Sequence, residues 1–265
     1  MTAVTTAAPS PLPCAVADSF GQTSASDSPQ RRAFLWTTGP VAYEPVWLLQ
    51  RRMVEARLAG GGEDALLLLE HEPTYTLGRR TRAEHVGGDE SALRQTGAAV
   101  YRIERGGSVT YHGPGQIVGY PILRVTDYCA GPKAYMHKLE SVLIRTLALW
   151  EVEASRRPGY PGVWVGERLA KIAAMGTHWR RGISMHGFAL NVTVDLAPFA
   201  RILPCGIDDC RVTSLAHVLG REPEVELVKA QLAQAFAQEF ELNWMEPRHR
   251  PFDRCLHEGD SAWPT

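Results

Sequence analysis

The segment 133–150 constrains this 265-residue chain most: Leu139, Val142, Leu143, Thr146 and Leu147 recur at three- and four-residue spacing, and a proline stands just ahead of it. That spacing lines one side of an α-helix with apolar residues, and the stripe should pack on a sheet. Short apolar runs bounded by turn residues supply candidate strands over 33–36, 65–70, 98–104 and 117–123. Further on, 162–165, 168–173 and 186–194 read as strands joined by turns at Gly166-Glu167 and Arg181-Gly182, an antiparallel meander pattern. Two more helices are predicted: an amphipathic one over Tyr43–Leu58, broken by Gly60 to Gly62, and a last one over Val225–Phe240. Strands and helices mixed without regular βαβ alternation predict an α+β fold, a mixed sheet with helices segregated to one of its faces.

Hydrophobic residues make up 45% of the chain, ample for a buried core, and the formal charge of -1 gives no global field that would draw nucleic acid or an anionic membrane. No apolar run approaches the roughly 20 residues needed to span a bilayer, so no membrane partner is expected. Cys14, Cys129, Cys205, Cys210 and Cys255 form an odd set without a C-x-x-C pair, which predicts free thiols in a reducing, cytoplasmic setting rather than a disulfide framework or a zinc ribbon. The first thirty residues are rich in Ala, Thr, Ser and Pro and contain no Lys or Arg. We read 1–30 as a disordered extension, 31–245 as one catalytic domain and 246–265 as a loose tail.

Residues 105–116 read R-G-G-S-V-T-Y-H-G-P-G-Q. Glycine lets backbone approach a ligand closely and offers N–H donors, and Arg105, Thr110 and His112 add polar anchors. No G-K-[ST] follows, so this is not a Walker loop; the structural alternative is a glycine-rich hairpin. Lys171 lies in L-A-K-I-A-A-M-G, on a strand expected to be buried or half-buried. It is either a candidate base or anion partner, or an edge lysine with its stem on apolar surface and its amine in water. Cys205, in L-P-C-G-I, is expected on a turn with its thiol presented; Cys210, beside two aspartates, is the rival nucleophile, but adjacent carboxylates would raise its thiol pKa. Cys129 reads as a packed small hydrophobe. The histidines show no H-x-x-x-H or H-E-x-x-H spacing, so no metal is expected, and His112 and His186, each followed by glycine, are given a lesser, pocket-lining role.

Together, R-G-G-S-V-T-Y-H-G-P-G-Q, G-V-W-V-G-E-R-L-A-K-I-A-A-M-G, H-G-F-A-L-N-V and L-P-C-G-I resemble, in order and spacing, the octanoyl-[acyl-carrier-protein]:protein N-octanoyltransferases of lipoate biosynthesis, over about 31–219. The resemblance implies the biotin/lipoyl protein ligase-like α/β fold and an acyltransferase, a lipoyl(octanoyl) transferase, that needs no cofactor. Cys205 matches the family's acyl-thioester cysteine and Lys171 its activating lysine. The acyl-pocket segments fall on Arg105, Gly106, Gly107, Ser108, Val109, Thr110, Tyr111 and His112, on Ala174, Met175 and Gly176, and on Gly187, Phe188 and Ala189. The implied partners are octanoyl-acyl carrier protein and the lipoyl domains of 2-oxoacid dehydrogenase E2 subunits and of glycine cleavage H protein, met by a monomer. Acidic carriers suggest a local basic surface, for which Arg79, Arg80, Arg82, Arg180 and Arg181 are candidates. An ATP-dependent lipoate or biotin ligase would share the fold and a comparable lysine, and Cys205 is the feature that separates the two.

Overall fold

The computed structural model describes residues 31–167, 169–203 and 210–245. Along them the strands are β1 (Arg31–Val41), β2 (Asp64–His71), β3 (Thr74–Leu77), β4 (Ala99–Arg102), β5 (Val109–His112), β6 (Gln116–Ile122), β7 (Ala154–Arg157), β8 (Tyr160–Val165), β9 (Ala170–Arg180), β10 (Ile183–Asn191) and β11 (Leu242–Met245). The helices are α1 (Tyr43–Leu58), α2 (Glu90–Arg94), α3 (Pro132–Ala148), α4 (Leu215–Leu219) and α5 (Val225–Phe240). Among these residues eight strands form one sheet, in the order β11-β1-β2-β6-β10-β9-β8-β7, and three form another, β4-β3-β5. Pairing is parallel between β1 and both β11 and β2, and antiparallel from β2 through β6, β10, β9 and β8 to β7, so the large sheet is mixed. The meander expected after α3 is present as β8 to β10, and β7, which was not expected, adds a further antiparallel strand at its edge.

Every residue of β2 is buried. Because successive side chains on a strand point to opposite faces, such a run needs cover on both sides. Ala65, Leu67 and Leu69 pack with Val46, Leu49 and Met53 of α1, while Leu66 and Leu68 pack with Leu139, Val142 and Leu143 of α3 and Val228, Leu232 and Phe236 of α5. Helices therefore cover both faces, which corrects the one-face expectation. Each fully buried leucine here contributes about 2 kcal/mol of transfer free energy.

The smaller sheet has its own cluster, in which Tyr75, Leu77, Val100, Val109 and Tyr111 pack with Phe199 and Ile202. Strand β5 lies inside the glycine-rich segment, so that segment is partly a strand, paired antiparallel with β3.

A buried ion pair ties α5 to the edge of the site. Lys229 is 1% exposed, and its Nζ donates to Glu226 Oε1 at 2.5 Å and to the Thr38 carbonyl at 3.2 Å and lies 3.5 Å from Glu70 Oε1. The other Glu70 oxygen accepts the amide of Gly115 at 2.7 Å, in the turn that leads into β6. Removing one partner of such a pair leaves an uncompensated buried charge. We expect Lys229→Met to lower unfolding free energy by about 3 kcal/mol, read as a lower urea midpoint at unchanged slope; a midpoint equal to wild type would mean that Glu70 is solvated without its lysine.

Candidate active site

A cavity of about 60 Å³ lies between the two sheets. Its floor is one face of the large sheet, where alternation on three neighbouring strands sets Gln116, Val118 and Tyr120 of β6 beside Gly187, Ala189 and Asn191 of β10 and Ala174 and Gly176 of β9. The opposite wall comes from Gly107, Ser108, Val109, Thr110 and His112, and α1 contributes Tyr43. Lys171, Val212 and Phe199 also line it. The lining is polar near Lys171 and Asn191, small and apolar at Ala174, Ala189 and Val118, and polar again at Tyr120, Arg105 and His186.

Glycine makes the close packing around Arg105 possible. A Cβ on Gly78 would lie 2.6 Å from the Gly107 carbonyl and 2.8 Å from Arg105 Nη1, and one on Gly176 would lie 2.8 Å from the Gly106 carbonyl. Arg105, 8% exposed, donates from Nε and Nη2 to Thr76 Oγ1 at 3.2 and 2.9 Å and from Nη2 to the Thr76 carbonyl at 2.5 Å. Thr76 Oγ1 is 3.2 Å from His112 Nε2, and His112 Nδ1 is 2.7 Å from Gln116 Oε1. Gln116 Nε2 donates to Asn191 Oδ1 at 2.9 Å, and Asn191 Nδ2 donates to the Thr213 carbonyl at 2.9 Å. All donors then run one way, from Arg105 through Thr76, His112, Gln116 and Asn191 to Thr213, which requires a neutral His112 with its proton on Nδ1.

Lys171 is 2% exposed, which excludes an edge lysine with its amine in water. Its Nζ stands 4.6 Å from the centroid of the Trp164 ring. Its amide donates to the Arg211 carbonyl at 2.8 Å and its carbonyl accepts from Thr213 at 3.0 Å, so 211–213 forms a short parallel bridge alongside it. The chain of side-chain hydrogen bonds thus ends on the segment that brackets Lys171. Cys205 lies outside the described residues. The chain on either side of it is anchored at this site: Leu203 donates its amide to the His85 carbonyl at 2.9 Å, His85 Nδ1 is 2.6 Å from Ser108 Oγ, and Arg211 holds Lys171. Cys129 and Cys210 are both half-buried, and Cys129 packs against the main core as expected.

Of the sequence-predicted pocket residues, Arg105, Gly107, Ser108, Val109, Thr110, His112, Ala174, Met175, Gly176, Gly187, Phe188 and Ala189 line this cavity. Gly106 and Tyr111 do not. The Gly106 amide donates to the Thr177 carbonyl at 3.0 Å, joining the two sheets. The Tyr111 ring turns away into the small sheet's cluster, with ring centroids 5.1 Å from Tyr75 and 5.7 Å from Phe199, because strand alternation places it opposite Thr110 and His112. Tyr43, Thr76, Gln116, Tyr120 and Asn191 were not singled out from sequence; each is a polar residue with a partner far off along the chain, although Gln116 also bonds His112 and the Tyr111 carbonyl close by. Arg79 and Arg80 are exposed just past β3, with their amides on the Arg105 and Gly107 carbonyls, whereas Arg82 pairs with Glu84 and Arg180 with Glu55.

The family model for the lipoyl protein ligase A/B catalytic domain matches residues 42–237. An octanoyltransferase of Rubrobacter xylanophilus is 46% identical over 202 residues, 76% of this chain and 90% of the relative. One from Synechococcus elongatus is 45% identical over 214 residues, 80% and 89% of the respective chains. In fold, the chain resembles the crystal structure of lipoate-protein ligase A bound with ATP, at a TM-score of 0.66 and 16% identity over 86% of this chain and 93% of that one. It also resembles a putative lipoate protein ligase of T. acidophilum with bound lipoic acid, at a TM-score of 0.62, 15% identity and the same coverages.

Burial holds two histidines beside the cavity neutral. It pushes His71 down to about 4 against the hydrogen bond with the Val41 carbonyl, and it pushes His112 down to about 3 with help from the nearby charges of His71 and Arg105. Since both folded-state values lie below the unfolded one near 6.5, their contribution to stability is complete above pH 6.5 and is lost as pH falls from there toward 4 and 3. We expect the thermal midpoint to drop over that interval and the drop to be shallower in His112→Gln; equal slopes in the two proteins would show that His112 does not titrate on unfolding.

Proposed function

The chain belongs to the octanoyltransferases of the lipoyl protein ligase A/B catalytic-domain family and is an acyltransferase, and from that membership we propose that it moves an octanoyl group from a carrier-protein thioester to a lysine of a lipoyl domain through a thioester on Cys205. The observation that carries this reading is the buried Lys171 beside a cavity with a small, apolar middle, with Arg211 to Thr213 bridged to Lys171.

In the first step the Cys205 thiolate attacks the carbonyl carbon of the carrier thioester. The tetrahedral intermediate collapses, the carrier leaves as its thiol, and octanoyl remains on Cys205. In the second step the lysine amine of the lipoyl domain attacks the new thioester, an amide forms, and the Cys205 thiol is released. Thioester exchange is nearly thermoneutral and aminolysis runs downhill, so no nucleotide is consumed. An ammonium on Lys171 stabilises the thiolate, and in its neutral form the same amine takes the proton of the incoming lysine. The glycine-rich segment offers backbone N–H donors to the oxyanion, each such donor being worth about 3 kcal/mol. Small side chains at Ala174, Gly176, Gly187 and Ala189 leave room for the acyl chain, where each buried methylene contributes about 0.8 kcal/mol. The exposed Arg79 and Arg80 suit an acidic carrier.

Intact mass after mixing the protein with octanoyl carrier protein tests the thioester: wild type is expected to gain one octanoyl group and Cys205→Ala none. An adduct that survives Cys205→Ala and disappears with Cys210→Ala moves the nucleophile to Cys210. Adduct formation that needs ATP would place the chain with the ligases instead. For the lysine, Lys171→Ala is expected to slow acylation at least tenfold, an order-of-magnitude estimate for loss of a cationic neighbour, and to shift its pH profile upward as the thiolate becomes harder to form. The same rate and profile as wild type would remove Lys171 from the mechanism.

A further inference from the structure

One residue at the cavity wall does what a buried strand normally avoids. His186 sits within β10 with φ +57, a left-handed conformation rare for a residue with a Cβ. The residue is 1% exposed, and neither ring nitrogen has a hydrogen-bond partner among the described residues. Glu104 Oε2 comes to 3.8 Å of Nε2, beyond hydrogen-bond reach. Gln50 of α1 accepts the His186 amide at 3.0 Å, and its own Nε2 is left without a partner too. Native folds satisfy buried polar atoms, so a cluster of unsatisfied ones beside a cavity marks a place where the cavity's contents matter.

The backbone geometry also fixes where the imidazole is. The reversed φ takes His186 out of the alternation of β10, so that it and Gly187 both line the cavity. Asn191, beside the 211–213 segment that brackets Lys171, lines the same face four residues away from Gly187, a span of about 14 Å at ~3.4 Å per residue. Between them the lining is Ala189 with Ala174 and Val118, then Gly187 with Gly176. An eight-carbon zigzag of ~1.5 Å bonds advances ~1.25 Å per bond and reaches about 9 Å, so a chain attached at the Lys171 end brings its methyl terminus up to the glycines, short of the imidazole.

We propose that His186 ends the acyl channel and sets the chain length that the enzyme accepts, an assignment that rests on the octanoyl-transfer reading above. A chain of eight carbons fills the apolar middle. Each further methylene meets the imidazole, keeps its unpartnered ring nitrogens from being solvated, and gains none of the transfer free energy that an apolar wall would return.

The test is the chain-length profile of acyl transfer, as kcat/KM for six-, eight-, ten- and twelve-carbon carrier thioesters. Glycine suits φ +57, so His186→Gly removes the ring without straining the strand, and His186→Asn, also tolerant of this conformation, leaves a shorter polar side chain. Relative to wild type, His186→Gly is expected to raise the ten-to-eight ratio by roughly fifteenfold, about fourfold for each of the two added methylenes, and His186→Asn to raise it less. If both variants are folded and transfer octanoyl with the ten-to-eight ratio of wild type, His186 does not end the channel. If wild type moves no acyl group from any thioester, the transfer reading fails and this assignment falls with it.

Discussion

The site depends on how closely two sheets approach around one buried guanidinium. Arg105 lies where the turn after β3, the start of the glycine-rich segment and the middle of β9 converge, and a Cβ on Gly78 or on Gly176 would meet backbone or guanidinium atoms under 3 Å away. Within the large sheet another close approach lies one strand over. A Cβ on Gly187 would sit inside the radius of the Gly119 carbonyl, and the space above Gly119 is filled by the Phe188 ring. Without Gly78 and Gly176 the glycine-rich segment could not lie against β3 and β9, and the cavity would lose its second wall.

Close approach buries polar groups, and the donor chain is how they are satisfied. A guanidinium brings only donors, so the groups that receive from it must hand their own protons onward, and the sequence Arg105, Thr76, His112, Gln116, Asn191 does this until a backbone carbonyl at Thr213 absorbs the last one. The arrangement has a chemical consequence. It fixes His112 as neutral and makes it a structural link between Arg105 and the segment that brackets Lys171.

Much of this was legible in the sequence, and the reasons differ by residue. Tyr43–Leu58 and Val225–Phe240 were read with the bounds the structure gives, because apolar periodicity and breakers coincide there. Strand β9 was read as ending at Ala173 but runs to Arg180, since Thr177, His178 and Arg180 carry no apolar signal. The small sheet was missed in β3 and β5 because four-residue strands acquire their meaning only from pairing. The run Leu66 to Leu69 announced a buried strand without saying that helices lay on both sides of it. At the site, Arg105, His112 and Lys171 stood out through glycine-rich or apolar settings, whereas Gln116 and Asn191 matter through a bond between residues that nothing local connects.

His186 shows why a site of this kind keeps a local flaw. A strand with regular alternation would have turned this side chain to the opposite face and continued the apolar lining with the next residue. The left-handed residue instead places an imidazole beyond the glycines, held by an α1 glutamine that grips its amide. The backbone strain is offset by the pairing of His186 with Thr177 of β9 on one edge and by the Gln50 side chain on the other, with the β6 ladder resuming at Phe188. A rigid sheet can therefore hold a polar stop at a set distance from its lysine, whereas a mobile loop could not define that distance to within one methylene.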